Sequence, residues 1–360
     1  MVGYRACRPL WPINLLSVTS GSGRARGRQV RAAAERASRN GFPDTTGAIQ
    51  SVHIQSLIYN LCARTAGKHH TRRPDGVIAM ITIDNRSCNG CGRCASICHQ
   101  SCIAIQDRQA TIDYALCSTC CQCVAVCPTQ VFSWDGVSPA PFDDTRLPVP
   151  EQMEELFQQR RTIREFKDQK LDRALLETIV NFGVYAPTHN FELRAIIVDE
   201  DELIQVIDTA VLNFSRTLYN WVYKNPIMRW LARWSGQVMR KEFTRAKSKL
   251  QLSIERGRAY KSRPVAVILI VGDMKVPLSL ESAQYALYTM NLYAMTKNVG
   301  CRNLVGNQMI LNRNKGLRRR LGILRHEEIF AVMGVGFPAI RFRNKVSGKR
   351  MRLSWNGSPY

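Results

Sequence analysis

The sequence lacks the features that mark several large classes of protein. No apolar run approaches the roughly 18–20 residues needed to span a bilayer, and the longest candidate, Pro264–Gly272, has the length of a strand. No GxGxxG motif follows a candidate strand, and neither a P-loop, an HExxH motif nor a nucleophile elbow occurs. Histidine is scarce, with six in 360 residues. We therefore predict no transmembrane segment, and nothing supports a Rossmann nicotinamide site.

Acidic residues are also few, but the resulting positive charge is unevenly distributed. The chain has 51 Lys and Arg against 28 Asp and Glu, a net charge of +23. Residues 1–79 carry +9 and residues 213–263 carry +11, whereas residues 84–135 carry −1. A nucleic-acid-binding domain is typically basic along a whole face. Binding of nucleic acid through residues 213–263 is thus the weakest functional alternative, and we predict no such partner.

Residues 1–79 are rich in Arg, Ala, Ser and Gly and show no sustained hydrophobic periodicity. One interpretation is an organelle transit peptide, which would be Arg-rich, Ser-rich and poor in acids. The other is translated upstream sequence, because Met80–Asp84 leads directly into the first cysteine motif as a domain start would. In either case we expect this extension to be disordered or absent from the mature protein. We expect a cytoplasmic protein, or an organelle-matrix protein if the extension is a transit peptide.

Most of the 13 cysteines lie in one short window. Eight of them form two runs of CxxCxxCxxxC, related by an offset of 29 residues: Cys88, Cys91, Cys94 and Cys98, then Cys117, Cys120, Cys123 and Cys127. The repeat predicts two similar half-domains, each too small to bury a core alone. This spacing is typical of two-cluster bacterial ferredoxins, in which the fourth cysteine of each run binds the other cluster.

The spacing therefore predicts a 4Fe–4S ferredoxin domain over residues 80–137. The first cluster is assigned to Cys88, Cys91, Cys94 and Cys127, and the second to Cys117, Cys120, Cys123 and Cys98. Two structural zinc sites are the alternative, but zinc does not need the third cysteine step within each run. Thiolate-bound iron implies a reducing compartment, so we expect no disulfide framework.

The pattern changes after a linker over residues 138–150. Proline and acids at its start and arginines at its end predict a helix over Pro150–Arg161. Further helices are predicted over Leu171–Phe182, from its apolar spacing, and over Ser279–Val299, ended by Gly300. Apolar, β-branched runs predict strands over Leu193–Val198, Val265–Val271 and Ile329–Val335. The fold class predicted for residues 151–360 is a layered α+β domain.

Six segments of this region, in this order, resemble the nitroreductase family. They are Arg160–Phe166 (RRTIREF), Tyr185–Asn190 (YAPTHN), the strand Pro264–Gly272, the helix Leu280–Gly300, Leu304–Gly306 (LVG) and Gly334–Pro338 (GVGFP). The resemblance covers roughly residues 150–355 and is poorest around 213–263. Together with the cysteine window, the chain resembles ferredoxin-fused nitroreductases.

This resemblance implies an FMN-binding homodimer with the flavin at the subunit interface. It implies that Arg160, Arg161, Thr162 and Arg164 form a first flavin-binding strip, and that Arg350 and Arg352 lie near the phosphate. It also implies that Gly306 lies beside the flavin ring. Pro187, Thr188 and Asn190 would approach the flavin from the other protomer. Several arginines suit a phosphate dianion, and positive charge favours a reduced flavin. Members of the family often have Gln-Pro-Trp where this chain has Glu192-Leu193-Arg194, so the substrate class stays undefined.

The basic segment 213–263 has three interpretations. Ile227, Trp230, Leu231 and Trp234 share one helical face. Such a face is most often buried in the fold or the dimer. It would also suit a lid over the flavin that attracts an anionic substrate or an acidic ferredoxin surface, or a helix lying on a membrane.

The predicted function is that of an oxidoreductase. Electrons would pass from two 4Fe–4S clusters to FMN and on to a small electrophilic acceptor such as a nitroaromatic, a quinone or an activated alkene. The donor would be a ferredoxin or an NAD(P)H-linked electron donor. No side chain is assigned as a catalytic acid. The alternative is a non-catalytic iron–sulfur flavoprotein that serves as an electron carrier or redox sensor.

Overall fold

The computed structural model describes residues 81–188, 193–234, 237–348 and 350–357, without the side chains of residues 231–239. The predicted extension over residues 1–79 and the predicted flavin contact Asn190 lie outside these ranges. Among the described helices, none is long and apolar enough to cross a bilayer.

The cysteine-rich part is built from two interleaved halves. Its elements are β1 (Ile81–Ile83), α1 (Arg93–Ile97), β2 (Ile103–Gln106), β3 (Gln109–Ile112), α2 (Gln122–Val126) and β4 (Phe132–Trp134). The helices α1 and α2 are related by the same offset of 29 residues as the cysteine runs. Strand β1 pairs with β4 and β2 pairs with β3, both antiparallel. Each two-stranded sheet therefore takes one strand from each half.

The larger part alternates helices with four strands. Its helices are α3 (Pro150–Gln159), α4 (Arg173–Asn181), α5 (Asp201–Tyr219), α6 (Pro226–Trp234), α7 (Gln237–Arg256), α8 (Ser279–Thr296), α9 (Val305–Arg313) and α10 (Lys315–Arg320). Its strands are β5 (Arg194–Val198), β6 (Ala266–Asp273), β7 (Gly300–Asn303) and β8 (Glu327–Gly336). They form one antiparallel sheet in the order β5–β6–β8–β7.

Both faces of this sheet are covered by helices. Ile268 and Ile270 of β6 belong to a core formed with α4 and α8, whereas Val267, Leu269 and Val271 belong to a second core formed with α5, α9 and α10. Successive residues of a strand point to opposite faces. The uninterrupted apolar run of β6 is therefore what a strand buried on both sides requires. The predicted α+β class is confirmed for this part of the chain.

The predicted elements are present with shifted ends, and one predicted helix end is wrong. The helix Ser279–Thr296 does not continue to Val299, and Gly300 is the first residue of β7 rather than the residue that ends the helix. Asn298 has a φ of 55°, and the N–H of Val299 donates to the carbonyl of Ala294 over 2.9 Å. This is the left-handed helix end that Asn tolerates, and it places Gly300 in the sheet.

Within the basic segment, helix α5 ends in a π-helical turn, Asn220–Lys224, followed by α6 and α7. The aromatic ring of Tyr223 is buried against Phe243 of α7, with ring centroids 4.4 Å apart. By contrast, Ile227 and Trp230 are exposed in the chain. The expectation that this apolar face is buried in the fold is therefore wrong for these two residues; the side chains of Leu231 and Trp234 are not among those described.

Candidate functional site

The arginine strip Arg160–Arg164 follows α3 and runs beside strand β7. The N–H of Ile163 donates to the carbonyl of Cys301 over 3.0 Å. A Cβ built on Gly300 would lie 2.6 Å from Cγ1 of Ile163, a distance that real Cβ atoms do not show, so this close approach needs glycine. In the strip, Arg160, Arg161 and Thr162 are half-buried and Arg164 is exposed.

The residues after the strip are fixed at one end of the sheet, where β6 begins and β8 ends. The N–H of Phe166 donates to Oγ of Ser262 over 3.0 Å, and Glu165 forms an ion pair with Lys261. The N–H of Lys167 donates to the carbonyl of Phe337 over 2.8 Å. The strip is therefore bonded to the segment before β6, to β7 and to the segment after β8.

A buried polar network holds the segment before β6. Asp208 of α5 accepts the N–H of Ala259 at 2.9 Å and that of Tyr260 at 3.2 Å. Burial raises the pKa of Asp208, and these hydrogen bonds and nearby Arg263 offset part of that rise. The hydroxyl of Tyr260 is hydrogen-bonded to the buried side chain of Asn307 in α9, and burial raises the pKa of Tyr260 to about 12. The network joins α5 and α9 to Ala259 and Tyr260, which directly precede the residues that bond Glu165 and Phe166.

Sequence reasoning missed Arg302, the residue after Cys301 on β7. Its guanidinium lies 5.1 Å from the ring centroid of Tyr260. Burial lowers the pKa of Arg302, Tyr260 raises it, and the positive charge of Arg164 lowers it again. Arg302 and Arg164 therefore act on each other electrostatically, and together they concentrate positive charge next to the strip. The only signal in the sequence is the position of Arg302 between the predicted helix end and Leu304–Gly306.

Two buried oxygens near the predicted flavin contacts have no hydrogen-bond partner among the described residues: Oγ1 of Thr188 and Oε1 of Gln308. Thr188 is itself a predicted contact. Gln308 follows Gly306 by two residues in α9, and a Cβ on Gly306 would meet no described atom within 4 Å. Unsatisfied buried polar atoms are uncommon in folded proteins and often mark a missing ligand. Together with the open space at Gly306, they fit a polar cofactor.

The remaining predicted flavin contacts are not brought together in the single chain. Pro187 is exposed, as are Arg350 and Arg352 in the C-terminal segment after β8. That segment is attached to α3 through an ion pair between Lys345 and Glu155. Among the described residues, neither C-terminal arginine forms a hydrogen bond or an ion pair with the strip.

Arg194, where the sequence departs from the family pattern, is part of the fold. Its Nε and Nη2 atoms each lie 2.7 Å from an oxygen of Glu327 on β8, and Nη2 also donates to the carbonyl of Gly322. Burial raises the pKa of Glu327, but the hydrogen bonds from Arg194 and from the N–H of Leu324 lower this pKa by more than burial raises it. The net shift of the pKa is therefore downward. Arg194 thus forms an ion pair across β6 at one end of the sheet.

The eight cysteines of the two runs line two separate cavities. The smaller contains Cys88, Cys91, Cys94 and Cys127. The larger contains Cys98, Cys117, Cys120 and Cys123, together with Cys102 and Cys121. In each cavity three cysteines come from one run and the fourth from the other.

The fourth cysteine of each run differs electrostatically from the others. Burial raises the pKa of Cys98 and Cys127, but hydrogen bonds from the backbone after each residue, and from the side chains of Cys102 and Thr129 respectively, lower it more. Burial raises the pKa of Cys123 to about 12. Sγ of Cys102, which belongs to neither run, lies 3.4 Å from Sγ of Cys98, so Cys102 contacts a predicted cluster ligand.

A third oxygen without a partner among the described residues lies at the larger cavity, Oγ of Ser118. In the same described part of the chain, no three His, Cys, Asp or Glu side chains converge on one point as ligands of a single metal ion do. Four thiols around a cavity suit a multi-iron cluster, whose irons each take one thiolate.

Comparison of the sequence with models of protein families identifies the class of protein to which this chain belongs. Residues 157–337 match the model of the Nitroreductase family. This match spans half of the chain, from the end of α3 through the last strand of the sheet to Phe337. The chain belongs to the nitroreductase family and is a nitroreductase-like oxidoreductase.

The chain is also similar to solved structures at low sequence identity. One is a nitroreductase with bound FMN from Desulfitobacterium hafniense DCB-2, with 16% identity, a TM-score of 0.41, and coverage of 56% of this chain and 98% of that one. Another is a nitroreductase with bound FMN from Bacteroides fragilis NCTC 9343, with 12% identity, a TM-score of 0.40, and coverage of 56% and 99%. No curated protein matches the chain. The family assignment rests on the family model alone.

Proposed function

We propose that the protein is an FMN-dependent oxidoreductase that passes electrons from two 4Fe–4S clusters to FMN and on to a small electrophilic acceptor, such as a nitroaromatic, a quinone or an activated alkene. The clusters supply single electrons, and the flavin supplies two-electron transfer to the acceptor. An electron donor of the ferredoxin or NAD(P)H-linked kind completes the path. Because thiolate-held clusters need a reducing compartment, we propose a cytoplasmic location.

The observation that carries this proposal is the distribution of the cysteines. Two runs of four, adjacent in sequence, are divided between two cavities so that each cavity holds three residues of one run and the fourth residue of the other. Two structural zinc sites would give no reason for each cavity to take its fourth cysteine from the other run. We therefore propose residues 80–137 as a two-cluster ferredoxin domain, linked by residues 138–150 to the flavin domain.

The flavin site is supported by the chemistry of the strip and its surroundings. The half-buried Arg160 and Arg161, with Arg164 and Arg302 nearby, provide cationic groups for a phosphate and for an electron-rich ring. Thr188 and Gln308 offer buried oxygens that lack partners in the described chain. These residues would bind and orient the flavin, and the apolar sheet beneath them would exclude water from one side.

A homodimer would complete the site. Large apolar side chains on the surface of α8 and its neighbour, including Tyr185, Tyr285 and Tyr288, are exposed in the single chain, as is Trp355 in the C-terminal segment. Exposed aromatic surface of this kind marks an association surface. In a dimer, Pro187, Thr188 and Asn190 would reach the flavin of the partner, and Arg350 and Arg352 would reach a phosphate.

The test uses protein purified without oxygen. Iron, sulfide and flavin are quantified, and dithionite-reduced protein is then mixed with a nitroaromatic or a quinone. We expect about eight irons and one flavin per chain, and repeated turnover of the acceptor. Clean flavin reduction with no turnover of any acceptor would indicate the electron carrier instead. A colourless preparation, or one that contains zinc and no flavin, contradicts the proposal.

A further inference from the structure

The stretch from the second half of α5 to the start of α7 has one sign of charge. Residues 209–241 contain six basic residues and no acidic residue. Of these, Lys224, Arg229 and Lys241 are exposed in the turn after α5, in α6 and in α7, respectively. Because the stretch itself contains no acid, these three exposed side chains give its surface positive charge.

Three large apolar side chains are exposed in the same stretch. Trp221 is 61% exposed, Ile227 is 66% exposed and Trp230 is 56% exposed. Ile227 and Trp230 are three residues apart in α6 and so lie on the same face of the helix. We call these three residues the apolar patch. Burying such side chains would gain substantial free energy, so their exposure on a charged surface needs a reason.

Local contacts hold the apolar patch outward. The hydroxyl of Tyr223 donates to the carbonyl of Phe243 over 3.1 Å, and its ring is buried against α7. This contact fixes the turn so that Trp221, two residues earlier, lies on the outside. Oδ1 of Asn225 accepts the N–H of Ile227 at 2.9 Å and caps the start of α6. The helix that carries Ile227 and Trp230 is therefore anchored at its first turn.

We propose that the apolar patch and its surrounding bases dock on an anionic lipid surface. An interfacial helix has a basic polar side and an apolar side with Trp or a large aliphatic residue, which enters the boundary between headgroups and acyl chains. Each basic residue near such a surface adds attraction to the anionic headgroups. A shallow depression lined by Asn220, Trp221, Lys224 and Asn225 lies on the same surface and offers donors to a headgroup phosphate.

The structure favours a membrane over two other occupants. An acidic protein would account for the positive charge but would not require three exposed apolar side chains around it. A second copy of the chain would meet this surface with the same surface, because a two-fold contact is self-complementary. Such a contact would oppose the exposed bases Lys224, Arg229 and Lys241 to their own copies, and like charges across an interface are unfavourable.

The inference does not depend on the flavin or the clusters, and its test does not use turnover. The full-length protein, with whatever cofactors it retains on anaerobic purification, is floated with vesicles of phosphatidylcholine alone or with about one quarter phosphatidylglycerol. We expect binding to the phosphatidylglycerol vesicles, a loss of that binding in high salt, and little binding to phosphatidylcholine. Equal binding to both vesicles, or binding to neither, overturns the proposal.

Variants separate the contribution of the apolar patch to binding from that of the surrounding basic residues. The double change Ile227→Ser and Trp230→Ser should weaken binding at least tenfold, and Phe142→Ser, which alters an exposed apolar residue outside the patch, should not. Arg229→Glu should weaken binding by at least about fivefold, whereas Lys275→Glu, at an exposed lysine outside the stretch, should not. Equal effects of patch and control variants contradict the proposal. So does a double variant that changes the oligomeric state, since the patch would then be a contact between copies.

Discussion

Ile163 approaches strand β7 most closely at Gly300, where the strand has no side chain. The N–H of Ile163 donates to the carbonyl of the next residue over 3.0 Å. A Cβ on Gly300 would lie 2.6 Å from Cγ1 and 2.9 Å from Cβ of Ile163. Because Ile is β-branched, its side chain has few other rotamers to adopt. The distance of the arginine strip from the sheet therefore depends on this glycine.

We expect Gly300→Ala to displace the strip. Overpacking at a contact this close should reduce the free energy of unfolding by about 1–3 kcal/mol, and the proposed flavin should bind more weakly because Arg160 and Arg161 shift with Ile163. Urea unfolding of the flavin-free protein and a flavin titration measure the two effects.

Gly306→Ala is the matched control. A Cβ on Gly306 meets no described atom within 4 Å, and the residue lies in the first turn of α9. Alanine should leave the free energy of unfolding unchanged or raise it by up to about 1 kcal/mol. If the flavin ring passes Gly306 as proposed, this variant should weaken flavin binding without destabilising the fold. Destabilisation by both variants alike would contradict the special role of Gly300.

Local patterns in the sequence predicted the elements of the sheet domain better than their contacts. The run Val265–Val271 is apolar at every position, and it forms the central part of β6 because both faces of that strand are covered. Three helices of the domain, α3, α4 and α8, were predicted from the sequence. Their ends depend on single backbone conformations, such as the left-handed Asn298, which apolar spacing does not encode.

The parts of the site that sequence did not predict arise from residues distant in the chain. The side chain of Gln308 was missed, and the role of Gly300 was misjudged, because Ile163 lies far from it in sequence. Trp230 was expected to be buried in the fold or in a dimer, and it is exposed in the single chain. An amphipathic pattern does not tell what the apolar side of a helix meets. The cysteine spacing is the exception, because it carries the ligand geometry within a few residues.

Replacing Cys98 should remove the second cluster and spare the first. Cys98 belongs to the first run, but it lines the cavity that holds Cys117, Cys120 and Cys123. We expect Cys98→Ala to lose about half of the iron, with the spectroscopic signal of one cluster retained. Cys121→Gly is the control, since Cys121 has a φ of 59° that glycine adopts easily. It should retain all the iron. Loss of the first cluster on replacing Cys98 would reverse the ligand assignment.

The ion pair between Arg194 and Glu327 should contribute to stability at neutral pH. Its two Nε/Nη2–Oε distances are 2.7 Å, and Glu327 is buried. We expect Glu327→Gln to reduce the free energy of unfolding by about 1.5–3 kcal/mol at pH 7. Glu242→Gln breaks an exposed pair with Arg245 and should cost at most about 0.5 kcal/mol.

The same pair sets a pH dependence. The pKa of Glu327 in the folded protein lies below its ordinary value of 4.5. A lowered pKa in the fold adds stability above the unfolded value, and this stability is lost as the pH falls through the folded value. The difference between the natural protein and Glu327→Gln should therefore narrow as the pH falls below about 4.5. A constant difference across this range would show that the carboxylate charge is not the cause.

Thr188→Val separates a cofactor contact from a structural one. In the described chain, Oγ1 of Thr188 is buried without a hydrogen-bond partner, so its removal should leave the stability of the flavin-free protein unchanged or raise it by about 1 kcal/mol. If this oxygen bonds the flavin, the variant should bind flavin about fivefold more weakly, since one hydrogen bond contributes about 1 kcal/mol. The control is Thr178→Val, because Oγ1 of Thr178 already donates to the carbonyl of Ala174 over 2.7 Å in helix α4. Thr178→Val should not change flavin affinity, and equal affinities for all three proteins would remove Thr188 from the site.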